Sequence, residues 1–167
     1  MNKIFLILLF LLSIPLYSQD NSVDWSKFNF LAGEWVGTGE GDPGKGEGKF
    51  SFAYDLDNNI FVRKNRNIIP ASQTSIEKIH DDLMIIYPAE GPGFKAIYFD
   101  NEGHTIDYSV KFEEKSVVFI SEKKTNMPFF RLTYTLSDEN TVKISFDFSQ
   151  DGTNYRTYLE GNAVKIR

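Results

Sequence analysis

Apolar and polar residues alternate with a period of two from Gly33 almost to the end of the 167-residue chain. Phe50, Phe52 and Tyr54, for example, are separated by Ser51 and Ala53. Successive side chains of a strand point to opposite faces of a sheet, so this pattern predicts strands with one apolar face. It predicts about ten strands, which lie within eleven segments: residues 33–41, 47–56, 60–69, 74–80, 83–87, 94–99, 104–112, 116–122, 129–136, 141–149 and 154–166.

The connections between these segments are short and rich in turn-forming residues. Examples are Asp57-Asn58-Asn59, the tetrapeptide 100–103 and Asp151-Gly152. Such connections force neighbouring strands to be antiparallel and leave no place for a crossover helix. The strands must then form a barrel or a sandwich, and a long meander favours the barrel because closure removes both sheet edges. We therefore predict an all-β fold, a single antiparallel up-and-down β-barrel occupying residues 19–167.

A short helical segment is expected before the first strand. Trp25, Phe28 and Leu31 follow one another at spacings of three, and Asp24 is suited to cap the first turn. This spacing puts the three apolar side chains on one face. We expect the segment to plug one end of the barrel.

The first 18 residues have the features of a secretory signal peptide. Lys3 gives a positive start, residues 4–12 are apolar, and cleavage after Ser18 would leave Gln19 as the new N-terminus. The alternative is an uncleaved anchor, although the apolar run is shorter than the roughly 20 residues that span a bilayer. We expect export to the periplasm or the extracellular space, without stable membrane insertion after cleavage.

The amino-acid composition indicates what stabilises the fold and which kinds of partner are excluded. The chain has no cysteine, so no disulfide stabilises it and the fold must depend on its core. Its formal net charge is −5 and its basic residues form no cluster, which argues against a nucleic-acid partner. Fifteen Phe and eight Tyr suit both strands and apolar cavities.

The segment 30–41, with its Gly33-Glu34-Trp35 strand start and alternating glycines, resembles the opening of lipocalin-like (calycin) β-barrels. It is most similar to the nitrobindin and fatty-acid-binding-like branch and to related bacterial domains of unknown function. The segments 98–103 and 155–161 also look like those domains. The resemblance implies that Trp35 seals the closed end of the barrel under a basic side chain of the last strand, for which Arg156 is the candidate.

The same resemblance raises the question of haem. Nitrobindins bind it through a histidine near the C-terminus, whereas this chain has only His80 and His104. We therefore predict no cofactor. Each histidine lies next to a predicted turn, a position that is commonly solvated, and only a shared cleft would make either an acid or a base.

Two short segments resemble ligand-binding loops but lack residues or elements that such loops require. Residues 39–44 match G-x-G-x-x-G, but a strand follows in place of the helix that a phosphate loop requires. Residues 55–59 begin like a calcium loop, yet Ile60 and Arg66 stand where Gly and Glu are needed. We interpret both as hairpin turns and predict no metal site.

Three apolar stripes are candidates for the barrel interior: residues 106, 108, 110 and 112; residues 130, 132, 134 and 136; and residues 142, 144, 146 and 148. They would either line a cavity for a small apolar ligand or fill the barrel. The polar side chains expected to orient a ligand are Tyr54, Tyr108, Arg131, Tyr134 and Tyr158. The leading hypothesis is an exported binding protein for a small hydrophobic or amphipathic ligand. The alternatives are a hydrolase or isomerase that uses the cavity, and an envelope interaction protein with a filled barrel.

Overall fold

The computed structural model describes residues 23–41, 45–71, 76–125 and 127–167. The predicted fold is confirmed: ten antiparallel strands close into one up-and-down barrel in which β1 pairs with β10. A 3₁₀ helix, Ser26–Leu31, precedes the strands. The strands are β1 Gly33–Gly41, β2 Gly46–Asp55, β3 Ile60–Ile69, β4 Lys78–Pro88, β5 Phe94–Asp100, β6 Thr105–Glu113, β7 Ser116–Ser121, β8 Phe129–Asp138, β9 Thr141–Ser149 and β10 Arg156–Lys165.

One strand differs from the prediction. The segments 74–80 and 83–87 are not a pair, because β4 runs without interruption from Lys78 to Pro88, and residues 72–75 lie outside the described part. His80, Asp81 and Asp82 are therefore strand residues. Their polar character does not break the strand because β3 and β5 pair with Asp82 on both sides.

The closure between β1 and β10 depends on glycine. A Cβ on Gly161 would lie 2.3 Å from the carbonyl oxygen of Thr38, and a Cβ on Gly37 would lie 2.4 Å from that of Asn162. Both distances are too short for a real contact. The glycines after Trp35 thus allow the two backbones to approach closely.

Trp25 and the helix Ser26–Leu31 that follows it, here together called the plug, close one end of the barrel as predicted. Trp25, Phe28 and Leu31 are buried, and Asp24 Oδ1 accepts a hydrogen bond of 3.0 Å from the backbone N–H of Ser26. A spacing of three fits a 3₁₀ helix, in which residues i and i+3 lie one above the other. Trp25 Nε1 also donates to the carbonyl oxygen of Asn58 at 2.8 Å, which joins the plug to the β2–β3 turn.

Trp35 lies at this closed end, but its cationic partner is not the predicted one. The Trp35 ring is fully buried, its Nε1 donates to the carbonyl oxygen of Leu31, and Lys165 Nζ lies 5.2 Å from its centroid. The guanidinium of Arg156 instead lies 4.7 Å from the centroid of Phe148. Register explains the correction, because Trp35 pairs with Lys165, at the other end of β10 from Arg156.

The barrel is filled near the plug and more open at the opposite end, here called the mouth. Inward side chains near the plug, such as Phe52, Phe61 and Val117, are at most 1% exposed. Towards the mouth, Phe130 and Phe146 are only partly buried although they point inward. Solvent therefore reaches the interior from the mouth.

The predicted signal peptide, residues 1–18, lies outside the described residues. In the part of the chain that is described, no helix is long and apolar enough to span a membrane.

Candidate functional site

A buried ion pair crosses from β3 to β4 inside the barrel. Arg63 Nη1 donates to Asp82 Oδ1, and the two side chains are 8% and 3% exposed. Asn65 Nδ2 donates to the other carboxylate oxygen at 2.7 Å. Alternation on β3 places Arg63 and Asn65 on the same face as the fully buried Phe61. Burial alone lowers the pKa of Arg63, but the Asp82 carboxylate more than offsets this, so the pKa of the guanidinium is raised.

A chain of titratable groups leads from this pair to the mouth. His80 Nε2 lies 2.9 Å from the Tyr98 hydroxyl and 3.5 Å from Asp82 Oδ2, and its Nδ1 lies 3.3 Å from Glu102 Oε1. Tyr98 donates to Asp100 Oδ2 at 3.3 Å. We call Arg63, Asn65, His80, Asp82, Tyr98 and Asp100 the polar wall.

The polar wall alters the acidity of its own members. The hydrogen bond to Asp82 raises the pKa of His80 despite partial burial, and the contact with Glu102 acts in the same direction. Burial raises the pKa of Tyr98 far above its usual value, so the phenol stays protonated. Burial acts to raise the pKa of Asp100 as well, but hydrogen bonds from the backbone and side chain of His104 outweigh it and lower that pKa.

Stability is expected to fall as the pH rises through the raised pKa of His80. The pKa of His80 is higher in the folded protein than its unfolded value of 6.5. The stabilisation is therefore complete below pH 6.5 and is lost as the pH rises through the folded pKa. Urea unfolding from about pH 5.5 to about pH 9 would measure the slope, and His80→Gln should remove it. The lowered pKa of Asp100 affects a different pH range, because its contribution to stability is lost only on acidification below about pH 4. An NMR titration midpoint of His80 below 6.5 would contradict this prediction.

Aromatic side chains form the facing part of the mouth. The rings of Phe130 and Phe146 stack with centroids 5.6 Å apart and planes 10° from parallel. Tyr158 lies where the β9–β10 register shifts, and its ring is 6.2 Å from Phe146 and 6.3 Å from Phe148. We call Phe130, Phe146, Phe148 and Tyr158 the aromatic wall.

Between the walls and the plug lies a layer of packed rings. Tyr134 is fully buried and its ring contacts Phe50, Phe52 and Phe119. The Tyr134 hydroxyl and Arg63 Nε have no hydrogen-bond partner among the described residues. Burial raises the pKa of Tyr134 to about 12.

The five residues predicted to orient a ligand are dispersed. Tyr108 and Tyr134 point into the barrel on either side of Phe119, and Tyr158 lies at the mouth. Tyr54 is at the plug, where its hydroxyl donates to Asn29 Oδ1 at 2.6 Å. Only Tyr108, Tyr134 and Tyr158 therefore lie where a ligand inside the barrel would contact them.

Arg131 lies on the outer face of the barrel. Its Nε donates to Asp147 Oδ2 at 3.0 Å, and its guanidinium carbon is 4.3 Å from the centroid of Tyr155. Ser145 and Thr157 both donate to the other oxygen of Asp147. This arrangement satisfies a buried carboxylate and holds β8, β9 and β10 together, so it is a structural network outside the interior.

The residues of the polar wall were not singled out from the sequence as ligand contacts. The available signal was the position of Arg63 and Asn65, which share the inward face of β3 with Phe61. Asp82 has the same relation to Met84 on β4. A polar residue on the apolar face of a strand must find a buried partner, and this rule would have pointed to the pair.

Two concavities open on the surface of the barrel. One of about 580 Å³ involves Glu40, Glu47 and Lys143. The other, of about 720 Å³, combines outward side chains such as Lys64 and Phe99 with Asn65, Asp82 and Asp100, so it lies over the strands that carry the polar wall. Within the described ranges, no group of three His, Cys, Asp or Glu residues is arranged to hold a metal ion.

No protein-family model matches the chain, and no curated protein matches it. Its structure is similar to the crystal structure of Rv2717c from M. tuberculosis, with a TM-score of 0.58 and 11% sequence identity. The similarity covers 85% of this chain and 96% of that chain. At this identity the likeness shows the fold alone. The comparisons therefore support the β-barrel and assign no family to the chain.

Proposed function

We propose that the protein is an exported, lipocalin-like binding protein that holds a small amphipathic ligand in the mouth half of the barrel. The observation that carries the proposal is the division of the lining into an aromatic wall and a polar wall. Ligand sites are commonly apolar with a few convergent polar groups. An amphipathic molecule would bury its apolar part against Phe130 and Phe146 and turn its polar part to the opposite side.

The partial burial of the aromatic wall supports this role. Inward rings that water reaches gain free energy when a ligand covers them, at roughly 25 cal/mol per Å² of apolar surface. Near the plug the inward rings are already fully covered by one another. A ligand therefore gains most by binding at the mouth.

Binding of the neutral dye Nile red, followed by its fluorescence, tests the proposal. Phe146→Ala removes half of the stacked pair in the aromatic wall and is expected to weaken binding by about 3- to 10-fold. Phe99→Ala is the matched control, because Phe99 is 38% exposed on the outer face. Equal affinities of the two variants, or no binding by the wild-type protein, would refute binding at the mouth. Absence of binding would favour the interaction protein with a filled barrel.

A second candidate is an enzyme that uses the same chamber. The specific observation is His80, whose Nε2 lies within hydrogen-bond distance of Tyr98 and next to Asp82. An imidazole positioned by a carboxylate is a general base of the kind that hydrolases use. Turnover of a bound ester that His80→Gln abolishes without weakening binding would favour this alternative.

Export is supported by the signal-like residues 1–18. The mass of the protein produced from the full chain tests it, since cleavage after Ser18 leaves Gln19 at the N-terminus.

A further inference from the structure

We infer that the polar end of the ligand is a neutral hydrogen-bond acceptor, a carbonyl, ether or hydroxyl oxygen, bound by Arg63 and Tyr134. The inference rests on the proposed function and adds the chemical class of the ligand. It begins from two polar atoms inside the barrel, Arg63 Nε and the Tyr134 hydroxyl, that lack a partner among the described residues.

The two atoms belong to side chains in contact. The guanidinium carbon of Arg63 lies 5.9 Å from the centroid of the Tyr134 ring, and both side chains are buried. A buried donor without an acceptor is unfavourable, so native proteins rarely retain one unless it binds something. Arg63 Nε can only donate, whereas a hydroxyl can both donate and accept. The Arg63 side chain lies close enough to the Tyr134 hydroxyl to act on its pKa in the lowering direction, against burial, although no hydrogen bond of normal geometry among the described residues satisfies either atom. An acceptor atom placed between them would satisfy both.

The position of Tyr134 suits an elongated ligand that enters from the mouth. Tyr134 follows Phe130 by four residues on β8, which corresponds to about 13 Å along the strand. Phe146 and Ile144 line the adjacent strand over the same distance, since they pair with Leu132 and Tyr134. The apolar body of such a ligand would therefore lie against the aromatic wall while its polar end reaches Tyr134.

The charges around the site decide which acceptor fits. Asp82 already neutralises Arg63, and Asp100 is a second carboxylate whose side chain is 4% exposed. His80 is the other cationic group of the polar wall, while Glu102 and His104 lie at the rim with side chains 60% and 54% exposed. Arg156, over Phe148 at the mouth, is four strand residues away from the level of Tyr134, since Phe148 pairs with Phe130. At the level of Tyr134 a bound carboxylate would therefore add a third buried negative charge against the positive charges of Arg63 and His80. A neutral oxygen satisfies the same donors without that repulsion.

The experiment measures displacement of Nile red by three probes with the same decyl chain, 2-decanone, 1-decanol and sodium decanoate, at pH 8. The ketone and the alcohol are expected to bind about tenfold more tightly than the carboxylate. Tyr134→Phe deletes only the hydroxyl and should weaken 2-decanone binding by about 3- to 10-fold. Its melting temperature should stay close to that of the wild type, because the deleted hydroxyl makes no hydrogen bond of normal geometry with any described residue. Tyr155→Phe, which removes a hydroxyl outside the barrel, is the matched control.

The outcomes separate this inference from the proposed function. Decanoate should bind less tightly than 2-decanone, so an equal or higher affinity for decanoate would overturn the neutral-acceptor inference. If Nile red binding still depends on Phe146, the binding site at the mouth remains in place. Unchanged 2-decanone affinity in Tyr134→Phe would also overturn the neutral-acceptor inference, and would indicate that only water meets these donors. Failure of the dye and of all three probes to bind, the probes also being tested directly by calorimetry, would overturn both.

Discussion

Replacing Asp82 by Asn is expected to lower the free energy of unfolding by about 3–5 kcal/mol, because it leaves the Arg63 guanidinium buried without a counter-charge. The two side chains are 8% and 3% exposed, so water cannot take the place of the lost carboxylate. Asn65 also loses a charged acceptor for its amide hydrogen bond. Urea unfolding of the two proteins at one pH measures the difference.

The neighbouring carboxylate provides the control. Asp81 points to the outer face, its side chain is 45% exposed, and its oxygen lies 3.7 Å from Arg66 Nε. Exposed ion pairs contribute about 0–1 kcal/mol, so Asp81→Asn should have little effect. The double variant Arg63→Met/Asp82→Leu removes both charges and should be more stable than Asp82→Asn. Equal losses in Asp81→Asn and Asp82→Asn would contradict a buried ion pair.

The faces of the strands were predictable from the alternation of residues. A shift of one residue moves every side chain of a strand to the opposite face, so an apolar stripe can be buried in only one way. Leu132, Tyr134 and Val142 accordingly lie in the core, as the stripes predict. The same rule already places Arg131 outside, because it alternates with Phe130 and Leu132. It was chosen as a ligand contact because it is polar, without a prediction of the face to which it points.

The polar wall was harder to predict because its contacts join distant residues. His80, Asp81 and Asp82 look like a turn when they are considered locally. Asp82 is stable inside the barrel only because Arg63, 19 residues earlier on β3, lies beside it. The pairing of β3 with β4 creates that environment, and no pattern within β4 reveals it. The cationic partner of Trp35 was missed for a similar reason, since the β1–β10 register selects Lys165.

The buried ion pair and the plug lie at different levels of the same barrel. Because the plug closes one end of the barrel, the proposed ligand would have to enter through the mouth to reach the polar wall. The roles of the ion pair and the plug differ. The ion pair forms part of the lining of the candidate site, whereas the plug supports the closed end of the barrel. Losing the plug should therefore affect stability more than it affects the chemistry of the mouth.

Replacing Phe28 by Ala is expected to lower the free energy of unfolding by about 3–5 kcal/mol, the range for a fully buried Phe. Phe28 is the centre of the plug, and its centroid lies 5.0 Å from those of Phe94 and Phe112 and 5.7 Å from that of Phe61. Truncation leaves a cavity that strands β3, β5 and β6 cannot fill without distorting the barrel. Thermal unfolding followed by circular dichroism measures the loss.

Phe99→Ala serves again as the control, because it deletes the same atoms from a ring that is 38% exposed on the outer face. Its loss should be well under half that of Phe28→Ala, since far less surface returns to water. Because Trp25 Nε1 ties the plug to Asn58, hydrogen exchange at the β2–β3 turn should also accelerate in Phe28→Ala and not in Phe99→Ala. Equal destabilisation by the two variants would mean that the plug covers the barrel without supporting it. A loss confined to Phe28→Ala, with Nile red affinity retained in the folded protein, would place the support at the plug and the binding site at the mouth.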